Sequence, residues 1–306
     1  MRVVVAGGGG FIGEQLCVEL AQAGHQVDIL SRHPERLAGR LPNGVRARAW
    51  RPPRLDPGWE IAVAEADAVV NLAGASLADG RWTAQRKVLL RDSRVDSTRA
   101  LVMALGNGGG PQRVLVNASA VGYYGDRGEE ELTEVSAPGE GFLARICVDW
   151  EAAAREAEQL GVRVVLARLG VVLGEGGALP RLILPYRLFV GGRLGSGRQW
   201  MSLVHRSDVV GVIRHALEDD AVSGPLNAVM PLPIRNADLA RLIGAVLHRP
   251  SALPAPAAAL RLALGREMAD EMLLASQRVL PAETLAGGYH FRYPKAEGAL
   301  RDALRA

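Results

Sequence analysis

Three features of the sequence predict an α/β fold built on a doubly wound parallel sheet. Strand-like runs alternate with amphipathic helical stretches through the first half, and those strands are apolar along their whole length. The earliest strand also leads directly into a glycine turn and a helix. Strands without polar alternation are buried on both faces, the state a parallel sheet reaches when helices cover each side. The pattern is a Rossmann-like sheet over residues 1–170, followed by a smaller mixed C-terminal lobe over 171–306.

Arg2-Val3-Val4-Val5-Ala6 is the first strand, and Gly7-Gly8-Gly9-Gly10-Phe11-Ile12-Gly13 follows it into the helical pattern that begins at Gln15. Gly7, Gly10 and Gly13 stand three apart. A first glycine permits the tight turn, a second lets the backbone approach a pyrophosphate, and a third keeps helix and sheet close. The helix start then offers free N–H groups and the positive dipole end to phosphates. The motif predicts dinucleotide binding.

Gly24-His25 closes this helix, and Gln26 to Leu30 is the second strand. Gly44 to Trp50 reads as a shorter third. After Pro52-Pro53, Ala68 to Gly74 is a buried strand ending in a turn. A long helix runs from about Thr83 to Leu105 and breaks at the glycine-rich stretch Gly106 to Gly110. Arg113 to Asn117 is the next strand, Phe142 to Leu160 the next helix, and Arg163 to Arg168 the strand after it. From Gly170 the glycine and proline punctuation thickens. A strand near 224–230, at Leu226-Asn227, is expected to return to the main sheet. Ala257 to Leu264 and Met268 to Leu274 read as apolar helices closing the second lobe.

Composition bounds the function. A chain of 306 residues, 48% hydrophobic, buries a large core. A net charge of +3 without a basic run argues against a nucleic-acid surface. Lys87 and Lys295 are the only lysines; every other basic residue is arginine. The two cysteines, Cys17 and Cys147, form no disulfide framework and fit a reducing cytoplasm. No stretch approaches the roughly 20 apolar residues of a membrane span. Six scattered histidines, without Cys-x-x-Cys or His-Glu-x-x-His, predict no metal site. The partner expected is a small-molecule substrate, and the sequence sets no oligomeric state.

The end of the second strand selects the cofactor. An acid there binds both ribose hydroxyls of NAD, whereas arginine meets the 2′-phosphate of NADP. The strand ends Leu30-Ser31-Arg32, and the nearest acid, Asp28, lies mid-strand with its side chain directed elsewhere. Arg32 can stack on adenine and pair with the phosphate, with Ser31 adding a hydrogen bond. NADP is the expected cofactor.

Further stretches complete a resemblance that covers nearly the whole chain. They include Asn71-Leu72-Ala73-Gly74, Gly80-Arg81-Trp82-Thr83, Arg91-Asp92-Ser93-Arg94 and Ser119-Ala120-Val121-Gly122-Tyr123-Tyr124-Gly125. Gly195 to Trp200, His205-Arg206-Ser207-Asp208, Gln277 to Pro281 and Phe291 to Pro294 follow. The chain resembles an extended-type short-chain dehydrogenase/reductase, and more narrowly the atypical epimerase-family branch described as NAD-dependent epimerase/dehydratase-like. The resemblance implies that Gly7, Gly10, Phe11, Ile12 and Gly13 face the pyrophosphate, and that Ser31 and Arg32 face the adenosine phosphate. It implies that Leu72 and Ala73 pass the adenine and ribose, that Arg94 lies on a helix lining the cleft, and that Val172 lies beside the nicotinamide.

Catalysis in that superfamily uses Tyr-x-x-x-Lys on the helix after the fifth strand, with a serine at the end of that strand holding the substrate oxygen. Ser119 matches the serine. The tyrosine position falls on about Leu143 and the lysine position on Cys147, and none of the five tyrosines has a lysine four residues later. Tyr123 and Tyr124, just after Ser119, are the candidate proton donors, or else packing and substrate-contact residues. Cys147 reads as a small packing residue.

Ser207 reads as a helix N-cap with Asp208 in the first turn, while Arg198 and His205 border the substrate cleft of the resembling enzymes. Six arginines between Val171 and His215, against Glu175 and Asp208, suit either an anionic substrate or a solvated basic surface. The expectation is an NADP(H)-binding, oxidoreductase- or epimerase-like protein that transfers hydride at an oxygen-bearing carbon of a small anionic substrate. The alternative is a non-catalytic NADP(H)-binding redox sensor or regulatory module.

Overall fold

The computed structural model describes every residue except Ala38, Arg40, Leu55, Gly110, Pro111, Gln112 and Ala306. The last glycine of the expected break at 106–110 therefore lies outside the described residues. The first part of the chain runs β1 (Arg2–Ala6), α1 (Phe11–Gln22), β2 (Gln26–Ser31), β3 (Val45–Ala49), α2 (Pro57–Ala64), β4 (Ala68–Asn71), α3 (Ala84–Gly106), β5 (Val114–Ala120), β6 (Glu131–Leu132), α4 (Phe142–Arg155) and β7 (Arg163–Leu169). The remainder runs β8 (Val171–Leu173), α5 (Leu179–Arg187), β9 (Trp200–Met201), β10 (Leu203–His205), α6 (Arg206–Glu218), β11 (Gly224–Ala228), β12 (Ile234–Arg235), α7 (Asn236–Leu247), α8 (Ala257–Leu264), α9 (Arg266–Ala269), β13 (Arg278–Val279), α10 (Ala282–Ala286) and α11 (Ala296–Arg305).

Seven parallel strands form the main sheet in the order β3-β2-β1-β4-β5-β7-β11. The order reverses between β1 and β4, which opens a crevice at their carboxyl ends where dinucleotides bind in such sheets. Strand β11, at Gly224–Ala228, is the strand that returns to this sheet and forms its edge.

The two faces follow from the pleat. Val3 and Val5 of β1 join Leu16, Cys17 and Leu20 of α1 and Val209 and Ile213 of α6 in one core. Val4 and Ala6 join Trp59 of α2, Leu101 and Leu105 of α3 and Ala154 of α4 in the other. Each fully buried aliphatic side chain contributes roughly 1.5–3 kcal/mol, so continuous valine runs suit a sheet covered twice. The second lobe has its own core, in which Ile183, Tyr186, Leu239, Ile243, Ala299 and Leu300 bring α5, α7 and α11 together.

Three local readings are corrected. The expected helix Phe142–Leu160 is α-helical to Arg155 and then tightens to a 3-10 turn, Glu156–Leu160, ending at Gly161 with φ +72°. Segment Ala257–Leu264 is a helix, yet none of its residues is buried and Leu262 is 79% exposed, so it does not close a core. The N-cap of α6 is His205 rather than Ser207: the chain is still extended at His205 (φ −80°, ψ 144°), and its Nδ1 accepts from the Ser207 N–H.

Candidate functional site

The glycine turn crosses the carboxyl end of β1 at the point of strand reversal. Gly7 has φ +79°, a conformation that glycine adopts without strain, and a Cβ there would lie 3.0 Å from the Leu72 carbonyl. A Cβ on Gly13 would lie 2.5 Å from the Gly7 oxygen, so this glycine sets how closely α1 approaches the turn. Helix α1 starts at Phe11 with Gly10 as N-cap and no side-chain cap, which leaves its first amides open at an exposed turn. Open amides, the dipole end and missing side chains together fit a pyrophosphate. The Phe11 ring lies beneath the Arg206 guanidinium, 5.0 Å away, and against the turn at Gly174, Gly176 and Gly177.

Asp28, in the middle of β2, is held by Arg48 of β3 at 2.9 Å. Ser31 takes the His33 N–H on its hydroxyl, and Arg32 is exposed. Leu72 and Ala73 follow β4, where the Asn71 side chain holds the Ala73 N–H. Val172 lies in β8, paired with Val204 of β10.

Arg94 on α3 is half-buried and donates to the carbonyls of Leu90 (2.9 Å) and Ala75 (3.1 Å). Its guanidinium also rests 5.3 Å from the Trp150 ring. A Cβ on Gly74 would lie 3.1 Å from the Arg94 Cζ, so the missing side chain at Gly74 is what lets the guanidinium in. Burial lowers the Arg94 pKa below its ordinary value.

The three residues expected to work on substrate are not equivalent. Ser119 is 2% exposed, and its hydroxyl donates to Glu151 Oε1 at 2.6 Å. Glu151 in turn accepts from the Nε and Nη2 edge of the Arg168 guanidinium on both carboxylate oxygens, at 2.8 and 2.9 Å. Tyr124 is fully buried; its hydroxyl donates to Asn227 (2.7 Å) and accepts from Arg168 (2.9 Å). Burial pushes that phenol up to about 12. Both hydroxyls thus donate to partners inside the protein. Tyr123 is half-buried with its ring stacked 3.6 Å from the Arg168 guanidinium, and its hydroxyl has no protein partner among the described residues.

The helix positions behave as packing. Leu143 lies 3.2 Å from where a Gly122 Cβ would stand, and Cys147 is buried with its thiol pushed up to about 11, chiefly by burial. The start of α4 is capped across the chain, since the Glu271 carboxylate accepts from Phe142 N (2.8 Å) and Leu143 N (2.7 Å). Gly141, at φ +107°, leaves room for that carboxylate. Gln277 holds the carbonyls of Val121 and Gly125 on either side of the two tyrosines.

His205 does not open onto a cleft. It is 4% exposed and packs at a 49° tilt against the Tyr293 ring, 4.2 Å between centroids, with Nε2 3.3 Å from Asp302. Burial holds its pKa below the usual histidine value. Asp208 is fully buried and accepts from the Arg292 and Tyr293 amides, tying the C-terminal segment to α6. Arg198 is exposed, and its side chain has no acidic partner among the described residues.

Sequence reasoning missed Glu151, Arg168, Asn227 and Glu271. A signal for Glu151 existed: it shares the buried α4 stripe with Ala144, Cys147 and Ala154, and a charge on such a stripe needs a partner. Among the described residues, no helix is long and apolar enough to cross a membrane.

Two family models match the chain: NAD dependent epimerase/dehydratase family over residues 3–228, and a domain of unknown function (DUF1731) over residues 255–303. Epimerase family protein Mb2239 of Mycobacterium bovis is 40% identical over 294 residues, covering 95% of this chain and 93% of that protein. Epimerase family protein YfhF of Bacillus subtilis is 38% identical, covering 99% and 98%. The crystal structure of human epimerase family protein SDR39U1 (isoform 2) with NADPH superposes with a TM-score of 0.85 at 35% identity, covering 100% of this chain and 99% of that one. With a glycine turn at the strand reversal and matches of this extent, the chain belongs to the NAD dependent epimerase/dehydratase family.

Proposed function

We propose that this chain is an NADP(H)-binding, oxidoreductase-like protein acting at an oxygen-bearing carbon of a small anionic substrate. The observation that carries the cofactor assignment is the end of β2, where Arg32 stands exposed and the strand's one acid, Asp28, is occupied by Arg48. The human relative of known structure was crystallised with NADPH, which supports the same choice. Gly7 to Gly13 and the open start of α1 would hold the pyrophosphate, Ser31 and Arg32 the adenosine phosphate, and Leu72, Ala73, Arg94 and Val172 the rest of the dinucleotide. When bound, the nicotinamide supplies hydride chemistry.

Tyr123 is the residue assigned to move a proton, since its hydroxyl is the one left unengaged near Ser119. Ser119, Glu151 and Arg168 act behind it: the guanidinium face positions the Tyr123 ring, and Glu151 fixes the guanidinium. Arg198 is the cation assigned to an anionic substrate.

A second reading, a redox-sensing NADP(H) module without turnover, is favoured by one observation. The two helix positions that would carry the superfamily's acid–base pair hold Leu143 against Gly122 and the buried Cys147. Calorimetric titration with NADPH and NADH, on the wild type and on Arg32→Ala, tests the cofactor assignment. Micromolar NADPH binding that falls at least about tenfold without Arg32, or some 1.4 kcal/mol, is expected. Equal affinity for the two cofactors in the wild type would overturn it. Oxidation of NADPH by a carbonyl compound, lost in Tyr123→Phe, separates the enzyme from the sensor.

A further inference from the structure

Among the described residues, Arg94 has no carboxylate partner for its charge. Its described hydrogen-bond partners are the carbonyls of Leu90 and Ala75, which are dipoles and leave the unit charge in place. The ionisable groups that act on it are the Cys147 thiol and the Arg86 guanidinium. A thiol held near 11 is neutral at physiological pH, and Arg86 is a like charge. Guanidinium groups stay protonated inside proteins, so Arg94 is a fixed, half-buried cation.

Its place on α3, beside the end of β4, gives that cation a target. The guanidinium touches the residues that follow β4, at Gly74 and Ala75, and it reaches towards α4 at Trp150. The proposed cofactor site sets the pyrophosphate at the end of β1 and the adenosine beyond β2. The other half of the dinucleotide would then lie towards the ends of β4 and β5, on the Arg94 side. The two redox forms differ there by one unit of charge, because an oxidised nicotinamide ring is cationic and a reduced one is neutral. In a cleft of lowered dielectric, a fixed cation disfavours the charged ring.

We propose that Arg94 makes the site discriminate between the two redox forms of the cofactor, holding NADPH more tightly than NADP+. The inference rests on the NADP(H) assignment above and deepens it, naming the residue that sets redox preference rather than affinity alone. It serves either reading of the site: an enzyme kept charged with reductant, or a sensor that reports the reduced state.

Calorimetry of the intact protein with NADPH and separately with NADP+, at one fixed salt concentration, tests it on the wild type, Arg94→Gln and Arg94→Lys. The wild type is expected to bind NADPH about tenfold or more tightly, equivalent to raising the potential of the bound couple by about 30 mV. Arg94→Gln should bring the two affinities together, and Arg94→Lys should keep them apart. Equal affinities in the wild type overturn the inference even if Arg94→Gln does not fold. A preference that survives intact in a folded Arg94→Gln also overturns it and leaves the cofactor assignment standing. Failure of the wild type to bind either form overturns both.

Discussion

The Arg168 guanidinium meets both carboxylate oxygens of Glu151, at 2.8 and 2.9 Å, with side chains only 3% and 5% exposed. Removing one partner of such a pair strands a buried charge. Glu151→Ala is expected to cost about 3–5 kcal/mol of stability, read from urea unfolding followed by circular dichroism. Replacing both with leucine should cost much less. A loss below about 1 kcal/mol in Glu151→Ala would show that the pair does not hold the fold.

The two adjacent tyrosines should separate cleanly. Tyr124→Phe leaves the Asn227 oxygen and an Arg168 N–H without their partner, at an expected cost of about 1–3 kcal/mol, and should not alter NADPH affinity. Tyr123→Phe should stay within about 0.5 kcal/mol of the wild type. Thermal melts of both variants decide between these assignments, and the reverse order would exchange them.

Gly13→Ala would place a methyl 2.5 Å from the Gly7 oxygen and 2.6 Å from the Gly8 Cα, forcing α1 away from the turn. NADPH affinity should fall at least about tenfold, with a lowered melting temperature. Gly24→Ala is the contrast: φ +84° with nothing within 4 Å, so strain alone, on the order of 1 kcal/mol, and unchanged cofactor binding. Equal NADPH binding by Gly13→Ala and the wild type would remove the turn from the phosphate site.

The buried His205 gives the fold a pH dependence of defined sign. Burial and the Arg206 and Arg292 charges hold its pKa down, while Asp302 and Asp208 act the other way without reversing the shift. The unfolded chain therefore takes up the proton first as pH falls through about 6.5. Stability from the neutral ring is complete above that value and is lost on going lower. Urea midpoints should decline between about pH 7.5 and 5.5, and His205→Asn should show a shallower decline. Parallel slopes would assign the effect to other groups.

The strands and the glycine turn were legible because their causes are local. A valine run buried on both faces and a glycine placed for a positive φ can be read within a few residues. The interior polar network was not legible, since Ser119 and Glu151 are 32 residues apart and Tyr124 and Asn227 are 103 apart. Proximity of that kind is set by strand order. Ser207 is not the cap because capping depends on where the chain leaves the extended conformation, and β10 carries it to His205. The helix Ala257–Leu264 is apolar by composition, but its residues find no cavity to fill.

Glu271 belongs to the segment matched by the domain of unknown function, yet its carboxylate closes the first turn of a helix in the dinucleotide-binding half. Gln277 and the amides of Arg292 and Tyr293 bind across the same divide. A truncated chain ending before residue 255 would expose the α4 amides and strip Asp208 of the Tyr289, Arg292 and Tyr293 donors that hold its carboxylate. The two matched segments are therefore expected to unfold as one cooperative unit, in a single melting transition.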